Sequence, residues 1–414
     1  MLFSFPDLQR HTTPIIFSIV IAAFSRQLFS LYFDIRAIFV YAFCIAIVVF
    51  SRVRLGTLRS LEHILVFSVT PIALSICVSA YYNDTVYIMD MLWMSASAFI
   101  VFSGSTAVHR KAVSVISGIL FALLVGAIAG YAWVAAGFDP IFWFANQRGG
   151  FNFQPFSFSS AWVTYQIRMN GIFDEPGAFS FYICMTVACR YFLRMPVRLS
   201  WFLLLAGMVT VSLAHILFTV LFLFSTVSLP KSRRGAANLC FGILVALASS
   251  GFIYASTDIF QALGSRLQPP QAENQLVAGD NRGPRLIAGL EVITSNPKTI
   301  VVGAGPDCAM SALNCVGTDF SVGETVLTPM VRWGLLSTYP FYVIMAASVL
   351  TGFARRRYMV ALAAAGMMFQ RPQIHLAADP IFMCLYFAAL TSAVKLRWPT
   401  PMVDTCCSRG EKLL

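Results

Sequence analysis

Long apolar runs, separated by short polar breaks, organise this chain. Runs over 62–82, 86–104, 112–136, 199–229, 236–256 and 334–353 meet or approach the roughly 20 apolar residues with which a helix crosses a bilayer. In lipid such a segment satisfies its backbone hydrogen bonds internally, so helices are expected. A first pair covers 12–31 and 35–51, and the runs 62–82 and 86–104 form a hairpin turning at Asn83-Asp84. Helices at 176–193, 358–369 and 380–394 are expected as well. The run 199–229 is too short for two full-depth spans, yet basic clusters that belong on one side flank it. It therefore predicts two short or tilted helices turning near Ser212 to His215. The set makes about twelve spans. The expected fold is an all-α polytopic membrane protein, with 1–414 as one integral membrane domain and two long exterior loops at 137–175 and 257–325.

Composition agrees. Hydrophobic residues make up 58% and charged residues 11%, about half the charged share of a soluble domain. The net charge of +11 would suit nucleic acid, but its placement argues otherwise. Of the 29 Lys and Arg, 19 fall at the ends and in short breaks such as Arg52–Arg59, Arg110-Lys111, Arg190–Arg198, Lys231–Arg234 and Arg355–Arg357. Short basic loops stay in the cytoplasm during insertion, so both termini are placed there. A nucleic-acid surface would gather the charge on one face. Arg10 precedes an apolar stretch with no small-residue cleavage site after it, which predicts a retained first helix. No metal-ligand spacing appears. Most of the ten cysteines lie in apolar runs. Cys308 and Cys315 share the second exterior loop, where a disulfide and two free thiols are both open.

The exterior loops are the segments large enough to build a site, and loops longer than about 15 residues are usually functional or disordered. The first ends Arg168-Met-Asn-Gly171-Ile-Phe-Asp174-Glu175-Pro176-Gly177. Proline suits a first helical turn, so Asp174 or Glu175 fits an N-cap. Two carboxylates with Arg168 at a membrane edge exceed what one cap requires. The loop's aromatics, Phe142 to Tyr165, read as an interfacial belt ahead of a sugar-stacking surface.

The second loop carries Asp280-Asn281-Arg282-Gly283-Pro284-Arg285-Leu286. Pro284 opens an expected surface helix with Leu286, Leu290 and Ile293 on one face. Its N-terminus, with Arg282 and Arg285, has the chemistry to bind phosphate; solvated arginines, or pairs with Glu291 or Asp280, are the plainer alternative. Gly303-Ala-Gly305 reads as a tight turn, because no βαβ unit surrounds it. Glu324 precedes the last helix group, and Arg332 is a candidate partner for it. His215 and His375 are placed at exterior helix ends, where a lone histidine is more often structural.

These residues in this order resemble the bacterial O-antigen polymerase and O-antigen ligase family. The resemblance runs over 160–350: Arg168-x-x-Gly171-x-x-x-Glu175-Pro176-Gly177, Arg282-x-x-x-Leu286, Pro297 before Gly303-x-Gly305, and Glu324 leading into Val331-Arg-Trp-Gly334. It implies a GT-C-like glycosyltransferase of the bacterial inner membrane, acting at the periplasmic face on oligosaccharides linked to undecaprenyl diphosphate. It also implies work without cofactor or metal, and a chain-length regulator protein as a partner beside the lipid bilayer.

The same resemblance assigns the diphosphate to Arg168 and Arg282, with Arg285 beside them. Glu324 and Glu175 are the base candidates, and Asp174, Arg332 and Arg266 are supporting groups. Ligases of the family usually carry histidine where this chain has Glu324, which favours a polymerase making surface polysaccharide or exopolysaccharide. The basic residue that often follows the serine of the Ser212 hairpin is missing. A ligase-type transferase and a flippase for the same lipid-linked sugar are the rival expectations. A flippase would place ionisable groups at mid-membrane and show inverted repeats.

Overall fold

The computed structural model describes residues 5–25, 37–55, 61–139, 141–146, 149–154, 157–160, 168–173, 175–210, 212–227, 282–305, 307–308, 322–323, 325–354, 359–374 and 378–395. The chain is mostly helical. Helix α1 (Phe5–Ala23) packs on α2 (Ala37–Leu55), and α3 (Leu61–Tyr82) and α4 (Val86–Phe102) form the next pair. Within α3, Leu65–Val69 widens to a π-helical turn just ahead of Pro71. Proline cannot donate to the preceding turn, and the Thr70 hydroxyl bonds the Leu65 carbonyl there at 2.9 Å. Asn83 takes the left-handed conformation at φ 52°, and Asp84 Oδ1 accepts from Val86 N at 2.9 Å. The expected Asn83-Asp84 turn is thus formed.

Helix α5 (Thr106–Ala135) begins six residues before the apolar run, because Ser105 caps it by accepting from Val108 N. Three helices among the described residues are long and apolar enough to cross a membrane: Leu61–Tyr82, Thr106–Val134 and Thr328–Ala354. Several more apolar helices are shorter. The expected span at 236–256 lies outside the described residues.

The first long loop departs from an all-helical fold. It holds a four-stranded antiparallel meander, β1 (Phe142–Asn146), β2 (Gly149–Gln154), β3 (Ser157–Ser160) and β4 (Arg168–Gly171), in spatial order 1-2-3-4. Phe153 sits opposite both Phe142 and Phe158, and Ser160 sits opposite Arg168. Phe142 and Phe144 in β1, and Phe151 and Phe153 in β2, keep the two-residue period of a strand, and aromatics have high β propensity.

Helix α6 (Pro176–Phe192) is the innermost helix, with Ala178 to Cys189 buried on every side. The run after it breaks as the sequence predicts: α7 (Val197–Ala206), a 3-10 turn (Gly207–Thr210), then α8 (Leu213–Val227). His215 closes this break. It is fully buried, with Nε2 2.7 Å from the Leu204 carbonyl and Nδ1 3.1 Å from Ser180 Oγ. A structural role accounts for it.

Helices α9 (Arg282–Ser295) and α10 (Lys298–Val302) precede α11 (Thr328–Ala354), α12 (Met359–Gln370) and α13 (Asp379–Lys395). The expected helix exists; Ala288, Gly289 and Val292 form its buried face, with Leu286 and Ile293 half-buried beside it. Gly289 lets α9 press close to Val322 and Leu327, so the larger Leu290 is left 48% exposed.

Side-chain contacts fix which helix ends coincide. Phe102 and Phe67 lie against Phe387, Thr106 bonds Ser392, and Arg110 donates to the Leu193 carbonyl. One end of the bundle therefore gathers the starts of α3 and α5 with the finishes of α4, α6 and α13. The opposite end gathers the starts of α4, α6 and α13, and it carries the charged groups described next.

Candidate functional site

Strand β4 ends on Gly171, whose φ of +60° turns the chain toward α6. A Cβ there would stand 3.3 Å from the Phe179 ring, so the turn is closed against the helix it leads into. Asn170 Nδ2 donates to the Phe173 carbonyl at 2.6 Å, and Gly171 N donates to Ser157 Oγ at 3.1 Å. The turn delivers Glu175 to the N-cap of α6, with extended backbone and Pro176 in the first turn. The Glu175 side chain makes no cap bond. Its Oε1 accepts from Arg371 Nη1 instead. Position makes it a cap residue; its carboxylate is engaged elsewhere.

Arg371, 5% exposed at the exit of α12, also donates through Nε to Asp379 Oδ2 at 3.3 Å. Asp379 is fully buried at the start of α13 and accepts the Tyr182 hydroxyl at 2.5 Å. A buried charge needs partners, and each of these ions has one.

A second cluster lies where α4 and α11 begin. Trp333 Nε1 donates to Asp90 Oδ2 at 2.9 Å, and Arg332 Nη2 lies 3.4 Å from the same oxygen. Asp90, on a helix far away in sequence, thus holds Arg332 through an ion pair; the expected partner, Glu324, lies outside the described residues. Gly334 interrupts α11 with φ 73° and ψ 164°, and the kink lets backbone meet backbone. A Cβ on Gly303 would stand 2.8 Å from Gly334 N and 2.9 Å from the Arg332 carbonyl oxygen. Ala304 N donates to the Val331 carbonyl at 2.6 Å, and Tyr82 donates to the Gly303 carbonyl at 2.6 Å. Thus Gly303-x-Gly305 and Val331–Gly334 form one joint.

Arg285, half-buried on α9, lies across Gly323: a Cβ there would stand 2.6 Å from its Cδ and 2.9 Å from its Nε. Gly323 has φ +58° and immediately precedes Glu324. Ala288, Val292, Val322, Val331 and Cys308 make a small core under this corner, and Cys308 is disulfide-bonded.

Of the remaining candidates, Arg168 opens β4 and Arg282 opens α9, with only their backbones described. Asp174, Glu324, Arg266, His375 and Cys315 lie outside the described residues. Sequence reasoning passed over Arg371, Asp379, Tyr182 and Asp90. Asp90 had a signal, since an acid within an apolar run is a functional candidate by default. Arg371 had one too, as a lone arginine in the break between two apolar runs.

No protein-family model and no curated protein matches this sequence. Fold and site together define a class: a mostly helical chain with bilayer-length apolar helices, bearing two carboxylate–guanidinium clusters at one end of its bundle.

Proposed function

We propose that this chain is a bacterial inner-membrane glycosyltransferase that polymerises lipid-linked oligosaccharide repeat units at the periplasmic face. The observation that carries the reading is the gathering, at one end of the bundle, of motif segments far apart in sequence. Glu175 reaches Arg371, Gly303 abuts Gly334, and Arg285 covers the residue before Glu324. The opposite end holds Arg110 and Arg190, which suits the cytoplasm by the positive-inside rule. A disulfide at Cys308 suits an oxidising compartment on the side of the clusters.

The chemistry follows from these groups. A carboxylate takes the proton of the acceptor hydroxyl as its oxygen bonds the donor's anomeric carbon. The bond from that carbon to the diphosphate oxygen breaks, and its electron pair leaves with undecaprenyl diphosphate. Guanidinium groups of Arg168, Arg282 and Arg285 bind that headgroup and stabilise the charge it gains. Glu175 and Glu324 are the base candidates; Arg332 supports the fold of the corner through Asp90.

Transport of the same lipid-linked sugar is the second reading, favoured by Asp379 and Arg371 buried among apolar helices. Both clusters, however, sit at helix ends rather than at mid-span. Purified full-length protein given lipid-diphosphate repeat units separates the readings. A ladder of products supports a polymerase, one transfer to a lipid A core supports a ligase, and no bond formation supports transport. Charge reversal Arg282→Glu is expected to abolish long polymer while the single lipid-linked unit persists. Normal chain length would refute the role of Arg282.

A further inference from the structure

Glu175, Arg371, Asp379 and Tyr182 belong to three helices and two sequence regions about 200 residues apart, yet they close a single chain of polar contacts. Exposure falls steeply along it. The Glu175 side chain is 37% exposed, that of Arg371 6%, and that of Asp379 0%. Tyr182 follows Glu175 by seven residues, so both stand on one face of α6 at successive double turns. The guanidinium is fastened from beneath by Asp379 through Nε, and its Nη1 is turned to the exposed carboxylate at the rim.

The rim carboxylate has a competing use. At the N-cap of α6 its negative charge is also suited to the free N–H groups and positive dipole end of the first turn. Ala178 N and Phe179 N bond the Glu175 backbone carbonyl, and the side chain stays out of the cap. Arg371 is the group that draws it away. An exposed ion pair ordinarily has to order two long side chains. Here burial and Asp379 have already ordered the arginine, so little further entropy is lost in aiming the glutamate.

We infer that Arg371, anchored by Asp379 and Tyr182, is the positioning residue of Glu175, holding its carboxylate out of the helix cap and toward the acceptor hydroxyl. The inference rests on the glycosyltransferase reading in which Glu175 takes that proton. Arg371 acts through Glu175, so removing it must cost nothing once the carboxylate is gone.

The test uses full-length protein in lipid nanodiscs with a defined lipid-diphosphate repeat unit, following kcat and the acceptor KM in single and double variants. Arg371→Ala is expected to lower kcat about 10²-fold, the scale of losing a positioned base, with KM nearly unchanged. Arg371→Lys restores part of the loss, since it keeps the charge and loses the fork. In a Glu175→Gln background, whose residual rate comes from binding alone, neither Arg371→Ala nor Tyr182→Phe lowers kcat further. Tyr182→Phe removes one hydroxyl and keeps the test open should Arg371→Ala fail to fold; alone it lowers kcat several-fold. Multiplying losses in the double variants, or full kcat in Tyr182→Phe, overturn the inference while leaving the glycosyltransferase reading intact. Wild-type protein that forms no glycosidic bond from these substrates refutes that reading, and this inference with it.

Discussion

Replacing Gly334 by alanine tests the joint on which the second cluster depends. Gly334 has φ 73° and ψ 164°, a region essentially reserved for glycine, and occupying it with alanine costs about 1–3 kcal/mol. The added methyl would also stand 2.5 Å from Gly303 N and the Val302 carbonyl carbon. These are backbone atoms with no rotamer to swing aside, and overpacking of this kind costs about 1–3 kcal/mol more. Together the two effects reach ~4 kcal/mol, a large part of a typical stability of about 5–15 kcal/mol. In detergent or nanodiscs the thermal midpoint is expected to fall by roughly 5 °C or more. Gly118→Ala and Gly366→Ala are matched controls, because nothing lies within 4 Å of a Cβ at either position. Both sit inside regular helices, where alanine gains about 0.5–1 kcal/mol over glycine. A Gly334→Ala protein with the wild-type midpoint and wild-type Trp333 fluorescence would refute the backbone contact.

Asp90→Ala is expected to destabilise by about 2 kcal/mol, since it leaves Trp333 Nε1 and Arg332 without their shared acceptor. The double variant with Arg332→Ala should lose less than the sum of the singles by ~1 kcal/mol, and strict additivity in unfolding measurements would discount the pair. Arg194 ends α6 at φ 54°, with Met195 N bonded to the Arg190 carbonyl at 2.9 Å, the geometry that favours glycine. Arg194→Gly should raise stability by ~1 kcal/mol, and a lower thermal midpoint would show that the arginine side chain contributes more than its backbone strain.

Much of the helical frame was legible along the chain. The break near Ser212 follows from the length of one apolar run and the basic clusters on either side of it. The Asn83-Asp84 turn and the helix opening at Pro176 rest on local chemistry, a left-handed asparagine and a proline in a first turn. Such features act over a few residues, so a linear reading reaches them. The alternating phenylalanines of β1 and β2 were equally local, but they mimic the aromatic belt of a membrane interface. Composition alone does not choose between a strand and a belt.

Pairing is what only the tertiary structure decided. Glu175 looked like a cap because its neighbours are those of a cap; the arginine that redirects it lies 196 residues away. Arg332 suits Glu324, eight residues upstream, along the chain; the partner that the described residues show for it is Asp90, across the bundle. Gly303-x-Gly305 read as a plain turn until a kinked helix was laid against its backbone. A sequence fixes which residues want burial and which charges need partners. In a bundle of apolar helices, many packings satisfy the first demand. The second is met by whichever opposite charges the packing brings within a few ångströms, a three-dimensional proximity that order along the chain does not encode.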